Sequence, residues 1–463
     1  MSDELRAADL EVVRQQLGRE PTTPFSVVAR CTGGHPLVIR NRPLDADGRP
    51  FPTIYWLTCP AAVKAVSRLE SEGWIARLGA DPAIRAGLDE AHRAYAAERG
   101  EMVQGAEEWG GVGGTRRGIK CLHAHHAYHL AGGDDPVGRW TAERAEPIHG
   151  IGPAGRVAAI DQGTNSTRLL VLEPRGVGED PVEITRDMRI TRLGKDVDRT
   201  GRLAPDSIER TLSVVARFVR RAHALHAERI RLGATSAVRD AANRQELFGP
   251  LRRLIDTDPE VIDGEREAAL SFLGGTRGLD PSDGPFLLID IGGGSTEFVS
   301  GRTPEIVDHA ISTQMGSVRL TERVRPSDPP SEDDLRAFEA LIEPHLDEVE
   351  RAVPARDART LVAVAGTATT LQACALGHEH YDPDLIHRST LTLADAERTL
   401  RELAAMTNAE RAAIPVMPTG RGDVIVAGAI ILVNAMRRFG SEWALVSETD
   451  ILDGLALELL DVR

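Results

Sequence analysis

Leu287–Val299 reads LLIDIGGGSTEFV, and the fold of the whole chain follows from how that stretch is understood. Its apolar start suits a strand buried on both faces. The strand stops at Asp290 before three glycines, Gly292, Gly293 and Gly294, where the chain presents backbone instead of side chains. Several N–H groups in such a turn converge on one anion. Ser295 adds a hydroxyl, and Asp290 and Glu297 flank the pocket with acid. A phosphate held together with a divalent metal suits this set, although a glycine turn also arises for purely conformational reasons.

The weight comes from a second copy far upstream. Ile160–Leu170, IDQGTNSTRLL, repeats the apolar strand, an acid at Asp161, a turn at Gly163 and polar side chains at Asn165, Ser166 and Arg168. Two such units predict two lobes whose turns face one another across a cleft and grip a polyphosphate from both sides. The pair resembles the phosphate loops of the actin, sugar-kinase and heat-shock-chaperone superfamily, and within it the exopolyphosphatase and guanosine pentaphosphate phosphohydrolase family. The resemblance runs from about Arg156 to the C-terminus. It implies an α/β, ribonuclease H-like, two-lobed phosphatase.

Composition agrees with an ordinary globular protein. A chain of 463 residues with 41% hydrophobic content is long enough for two or three packed domains. The formal charge of −15 argues against a broad nucleic-acid or membrane footprint, so a polyanion site has to be a local basic pocket. Four cysteines make no disulfide framework, and the acidic start lacks a signal peptide. A cytoplasmic protein is expected.

The resemblance also assigns roles. EVIDGEREAALSFLGG, Glu260–Gly275, matches the family's Gly-x-Glu-Glu-Ala segment and makes Glu267 the base for the hydrolytic water. Arg266 replaces the family's preceding Glu, and a cation beside Glu267 is expected to lower its pKa. Asp290, Glu297 and Asp161 become the ligands of magnesium or manganese. Gly163, Asn165, Ser166 and Arg168 from the first turn, Gly292, Gly293, Gly294 and Ser295 from the second, and Arg239, Gly366 and Thr367 become the phosphate cradle. Thr235 and Ser236 are expected to cap one helix carrying Arg239 and Asn243. Arg421 and Asp423 are secondary candidates, and Lys195, Arg199 and Arg202 are candidates for a polyanion path. Each also has a plainer reading as a cap, a surface ion pair or a solvated face.

The first part of the chain has its own character. Strand-like FSVVAR and LVIR, followed by an amphipathic AAVKAVSRLE, predict a small α+β domain. CTGGHPLVIRN, FPTIYWLTCP and GTRRGIKCLHAH resemble a bacterial family catalogued as domain of unknown function 501. Cys121, His125 and His129 lie four apart, and with Cys31 and Cys59 they form a candidate zinc site, the structural reading being the stronger. The expected order is 1–145 for this domain, 146–155 as linker, 156–282 as the first phosphatase lobe and 283–439 as the second, with a C-terminal helix over 440–463 packing back on the first. Fusion of the two families implies that they cooperate.

The expected activity is release of terminal phosphate from polyphosphate or from guanosine pentaphosphate, with no nucleic-acid or membrane partner and a homodimer as a compatible assembly. A kinase using the same cleft, or a non-catalytic nucleotide-binding regulator, is the alternative.

Overall fold

A computed structural model of the chain describes residues 7–461 except 46, 146–154, 176–178 and 305. Among the described residues the strands form three sheets. The first is an antiparallel meander of β1 (Phe25–Arg30), β2 (Pro36–Asn41) and β3 (Tyr55–Leu57). The second comprises β4 (Val157–Gln162), β5 (Ser166–Glu173), β6 (Val182–Ile190), β7 (Arg229–Ala234) and β8 (Glu260–Val261) in the order β6-β5-β4-β7-β8. The third holds β9 (Phe286–Ile291), β10 (Thr296–Gly301), β11 (His309–Thr313), β12 (Thr360–Val364), β13 (Ser389–Thr392) and β14 (Trp443–Val446), ordered β11-β10-β9-β12-β14-β13.

The last two sheets are built by one recipe. Three antiparallel strands come first, then a long helix, Pro205–Ala224 in one and Glu332–Ala352 in the other, and then a strand parallel to the first. Pro205 opens the first helix with the fixed φ a first turn needs. Ser331 starts the second with a capping box closed by Asp334. The repeat is the actin-like, two-lobed architecture.

Two helices exchange lobes. Gly264–Thr276 follows β8 of the first lobe, yet Ala268 and Phe272 pack with Leu288, Val299 and Val362 of the third sheet. Ile451–Asp461 follows β14 of the second lobe, yet Leu452 and Leu455 pack with Val157, Ala159 and Leu170 of the second sheet. The two cross at glycines: a Cβ on Gly274 would sit 2.0 Å from Asp450 O, and one on Gly454 2.2 Å from Leu270 O. Gly264–Thr276 is therefore not a helix of the first lobe alone: Ala268 and Phe272 pack on the third sheet, while Leu270 joins the cluster on the second. The segment 440–463 is likewise not one helix, because Trp443–Val446 is inserted between β12 and β13.

The N-terminal domain is not a bead on a string. Its Leu37, Tyr95 and Leu130 share one hydrophobic cluster with Val171, Phe218 and Ala222 of the first lobe. Thr185 on β6 donates to Val28 O at 2.7 Å, and Arg217 donates to Glu98 and to the Tyr55 hydroxyl at 2.6 Å each. The expected linker lies outside the described residues except for Gly155. The candidate zinc set does not gather: among the described residues no three His, Cys, Asp or Glu side chains stand where they could hold one ion. His125 is instead buried against Asp135 at 2.7 Å, and Cys121 sits just before the helix Leu122–Leu130.

Candidate active site

The two glycine hairpins end in turns that touch. Gly163 N donates to Ser166 O at 2.9 Å and Gly292 N to Ser295 O at 3.0 Å, so both close in the same way. A Cβ on Gly293 would lie 3.0 Å from Thr164 Cβ, and one on Gly294 2.5 Å from Ser236 Oγ. Neither glycine has a left-handed φ, so close approach of the lobes is what demands them. The N–H groups of Thr164, Asn165, Gly293 and Gly294 meet no acceptor among the described residues, and all four residues line the cleft. They form the donor set of an anion nest.

The same cleft wall carries Gly163, Ser166, Arg168, Gly292, Ser295, Gly366 and Thr367, together with Asp161, Asp290 and Glu267. Glu267 and Ser271 stand one turn apart on the exchanged helix, whose start is capped by Asp263 accepting from Arg266 N at 2.8 Å. From there Ser271 Oγ donates to Asp290 Oδ2 at 2.5 Å. Glu297, opposite Asp290 across the β9–β10 ladder, is 1% exposed and lies behind the wall, accepting from Ser312 Oγ at 2.7 Å.

Three carboxyls thus crowd one buried place, and their acidities reflect it. Burial and then the charges of Glu297 and Asp450 push Asp290 up to about 8. Burial, then Glu297, raises Glu267 well above the usual carboxyl range, against the pull of Arg239. Glu297 is raised as well, chiefly by burial, with Ser312 and Ser295 opposing. The expectation that Arg266 lowers Glu267 is overturned. Adjacent residues on a helix face different ways, and Arg266 pairs with Glu458. The cation that touches Glu267 is Arg239, whose guanidinium gives one N–H to Glu267 Oε2 at 3.1 Å and one to Ile262 O at 2.8 Å.

Arg239 therefore steadies the carboxylate and is not on the cleft wall. The helix expected to carry both Arg239 and Asn243 is two: Ser236–Asp240, and a second beginning at Arg244 with Asn243 before it. Arg168 is on the wall but is held by two acids. Its Nε donates to Asp161 Oδ2 at 2.9 Å, and another N–H reaches Asp450. Lys195, Arg199 and Arg202 stay outside the cleft, with Arg199 paired to Asp196 and Arg202 to Glu246. Asp423 pairs with Arg192 at 2.9 Å.

Arg421 reaches the wall through Gly366, where any Cβ would lie 2.1 Å from the guanidinium; it donates to Gly366 O at 2.5 Å and to Thr370 Oγ1 at 2.8 Å. Among the described residues it makes no direct ion pair, and Glu448 on the same wall offsets its charge from farther away. Beside it Ala365 has φ +64°, a left-handed value costing a residue with a Cβ about 1 kcal/mol. Asp450, Glu448 and Tyr381 also line the cleft and were not singled out in the sequence. Asp450 is legible only as a helix start, accepting from Leu452 N at 3.0 Å.

Among the described residues no three acids form a ready metal cage here either. The donor set nonetheless fits a hard divalent cation, which takes few carboxylates and completes its shell with water and substrate oxygens. Asp161 Oδ1 is buried without a partner, and the mutual repulsion of Asp290 and Glu297 is what a bound cation relieves.

Comparison with known proteins agrees with the two-lobed fold. Residues 170–462 match the Ppx/GppA phosphatase family, and residues 27–143 match DUF501, a protein family of unknown function. The chain is 42% identical over 315 residues to exopolyphosphatase 2 of Mycobacterium tuberculosis, covering 66% of this chain and 98% of that one. The crystal structure of the Aquifex aeolicus Ppx/GppA family member is similar with TM-score 0.57 and 32% identity, over 67% of this chain and 99% of that one. An exopolyphosphatase from Cytophaga hutchinsonii gives TM-score 0.62 at 28% identity, over 66% and 98%.

Proposed function

We propose that this chain, which belongs to the Ppx/GppA phosphatase family, takes phosphate from the end of inorganic polyphosphate by attack of a water held at Glu267. It is a phosphoanhydride hydrolase. The observation that carries the detailed reading is the position of Glu267: a buried carboxyl, fixed by Arg239, on the wall shared by both glycine turns.

Phosphoryl transfer requires little covalent chemistry; the groups must be held in line and the oxygens neutralised. The free amides of Thr164, Asn165, Gly293 and Gly294 bind the terminal phosphate, and Arg421 supplies positive charge from the second lobe. A magnesium or manganese ion held by Asp290, with Glu297 and Asp161 nearby, would neutralise the anhydride oxygens when bound. Such an ion would offset the Glu297 charge that adds to burial in raising Glu267, and Arg239 favours the ionised form. Glu267 then accepts the proton of the attacking water as the new P–O bond forms. The anhydride P–O bond breaks, and its electrons stay with the shortened chain.

Glu267→Gln keeps shape and removes the base. Phosphate release from polyphosphate should fall by about 10³-fold with KM moved little, because a general base contributes about 10² to 10⁴. Unchanged release would refute the assignment. A kinase would release no phosphate without an acceptor. Guanosine pentaphosphate, whose 5′ end carries the same kind of anhydride, is the second substrate for the same assay.

A further inference from the structure

A second space opens beside the cleft, on the side of the N-terminal domain. Arg186, Asp187, Met188 and Pro418 border both spaces, so the two share one short wall built mainly from β6. Counted out to their open mouths, the outer space holds about 2110 Å³ and the cleft about 1220 Å³. Its far side belongs to the N-terminal domain, including Arg40 and Arg42 from β2 and the turn after it.

The charge of this space differs from that of the chain. Arg40, Arg42, Arg186, Arg189 and Arg217 line it against four acids, in a protein of formal charge −15. Two of those acids are already engaged: Glu98 by Arg217 at 2.6 Å, and Asp187 by Arg189 at 2.6 Å and Arg221 at 2.7 Å. Arg40 differs from its neighbours. It is 5% exposed, its Nε meets no acceptor, and it has no ion pair among the described residues. A buried guanidinium with an unmet N–H is costly unless an acceptor arrives. Burial, with Arg40 and Arg217 adding their repulsion, holds Arg189 below the usual arginine range; Asp187 opposes this. Burial likewise lowers Arg221 to about 10, Asp187 opposing and Arg217 and Arg189 adding to the shift.

We infer that the N-terminal domain completes a distal subsite, in which the part of a long polyphosphate that extends beyond the cleft lies against Arg40, Arg42 and Arg189. The inference rests on the hydrolase reading above. A linear polyanion whose end is held by the glycine turns continues somewhere, and among the spaces that adjoin the cleft the arginine-lined one has the room, about 2110 Å³ against about 240 Å³ beside Thr164 and Gly294 and about 310 Å³ beside Arg186. Guanidinium groups suit that guest because they present several N–H groups to phosphate oxygens. The subsite gives the fusion a purpose: it favours long chains over short ones without touching the bond that breaks.

The test uses the full chain and phosphate release from two substrates, a polyphosphate of about 100 residues and tripolyphosphate. Arg40→Gln and Arg42→Glu should each raise KM for the long chain roughly fivefold, about 1 kcal/mol at RT ln 5, while the tripolyphosphate KM shifts less than about twofold. The difference should shrink as salt is added. Arg42 is exposed, so Arg42→Glu keeps the test decisive even if Arg40→Gln fails to fold. Release by the unaltered chain, with a KM ratio that neither variant moves, overturns the subsite alone. A KM rise shared equally by both substrates also overturns it. No release from either substrate by the unaltered chain overturns the hydrolase reading, and the subsite with it.

Discussion

The two glycine hairpins are the same backbone put to opposite electrostatic use. Asp161 on β4 faces Arg168 on β5, and Asp290 on β9 faces Glu297 on β10. In the first lobe an arginine neutralises the strand-end acid and also holds Asp450 from the far end of the chain. In the second, acid stands against acid, and Asp290 keeps its proton up to about pH 8. The first hairpin thus carries an ion-paired acid, and the second a buried acid pair whose repulsion favours the protonated form. The repeat supplies the grip, and the chemistry comes from breaking its symmetry.

The strongest way to break the comparison is to make the second hairpin like the first. Glu297→Arg should abolish metal-dependent phosphate release, by about 10³-fold or more, since it places a cation where the divalent ion is expected. Magnesium titration of the variant by calorimetry should show no binding heat. Robust turnover would mean that the acid pair is not the metal site.

Disarming the first hairpin should instead damage folding. Arg168→Met leaves Asp161 and Asp450 buried without their cation, at a cost of about 3 kcal/mol in urea denaturation. Adding Asp161→Asn and Asp450→Asn should recover most of that loss. A triple variant as unstable as the single one would point to lost packing rather than to unpaired charge.

The acid cluster also makes a pH prediction. A carboxyl raised in the folded state contributes stability that is fully present below the ordinary carboxyl range and is lost as pH climbs through its folded value. Without metal, the protein should lose roughly 2 kcal/mol between pH 6 and pH 8, and Asp290→Asn should flatten the slope. Magnesium should raise Tm more at pH 8 than at pH 6, because binding then displaces fewer protons. A Tm gain independent of pH would count against the cluster.

The smallest effect concerns Ala365, beside Gly366 on the cleft wall. Ala365→Gly relieves a left-handed φ and should add up to about 1 kcal/mol of stability, part of which the looser unfolded chain cancels. Thermal melting reads it directly. A loss of stability would mean that the Ala365 methyl packs usefully despite its backbone.

Much of the site was legible because it is local. A strand, an acid and a glycine turn lie within a dozen residues, and their recurrence exposed the two lobes and the cleft between them. Glu267 was legible through the Gly-x-Glu-Glu-Ala resemblance. Its environment was not. Arg266 is its neighbour in sequence, but the helix turns it toward Glu458, while Arg239, which does touch Glu267, belongs to another segment. The Cys and His spacing in the N-terminal domain was misleading for the same reason, since shared helical periodicity does not bring Cys31 or Cys59 to the histidines.

From sequence alone came the two glycine turns, Glu267 as the candidate base, the two-lobed α/β fold and a first domain of different character. All of these are properties of short stretches, whose backbone preferences act before any long-range contact forms. Tertiary structure decided which acids are neutralised, which helix covers which sheet, and what the first domain touches. Each depends on partners far apart in the chain, such as Arg168 with Asp450 and Thr185 with Val28. A buried charge takes whatever partner packing brings within reach, and packing is settled by the shapes of whole layers.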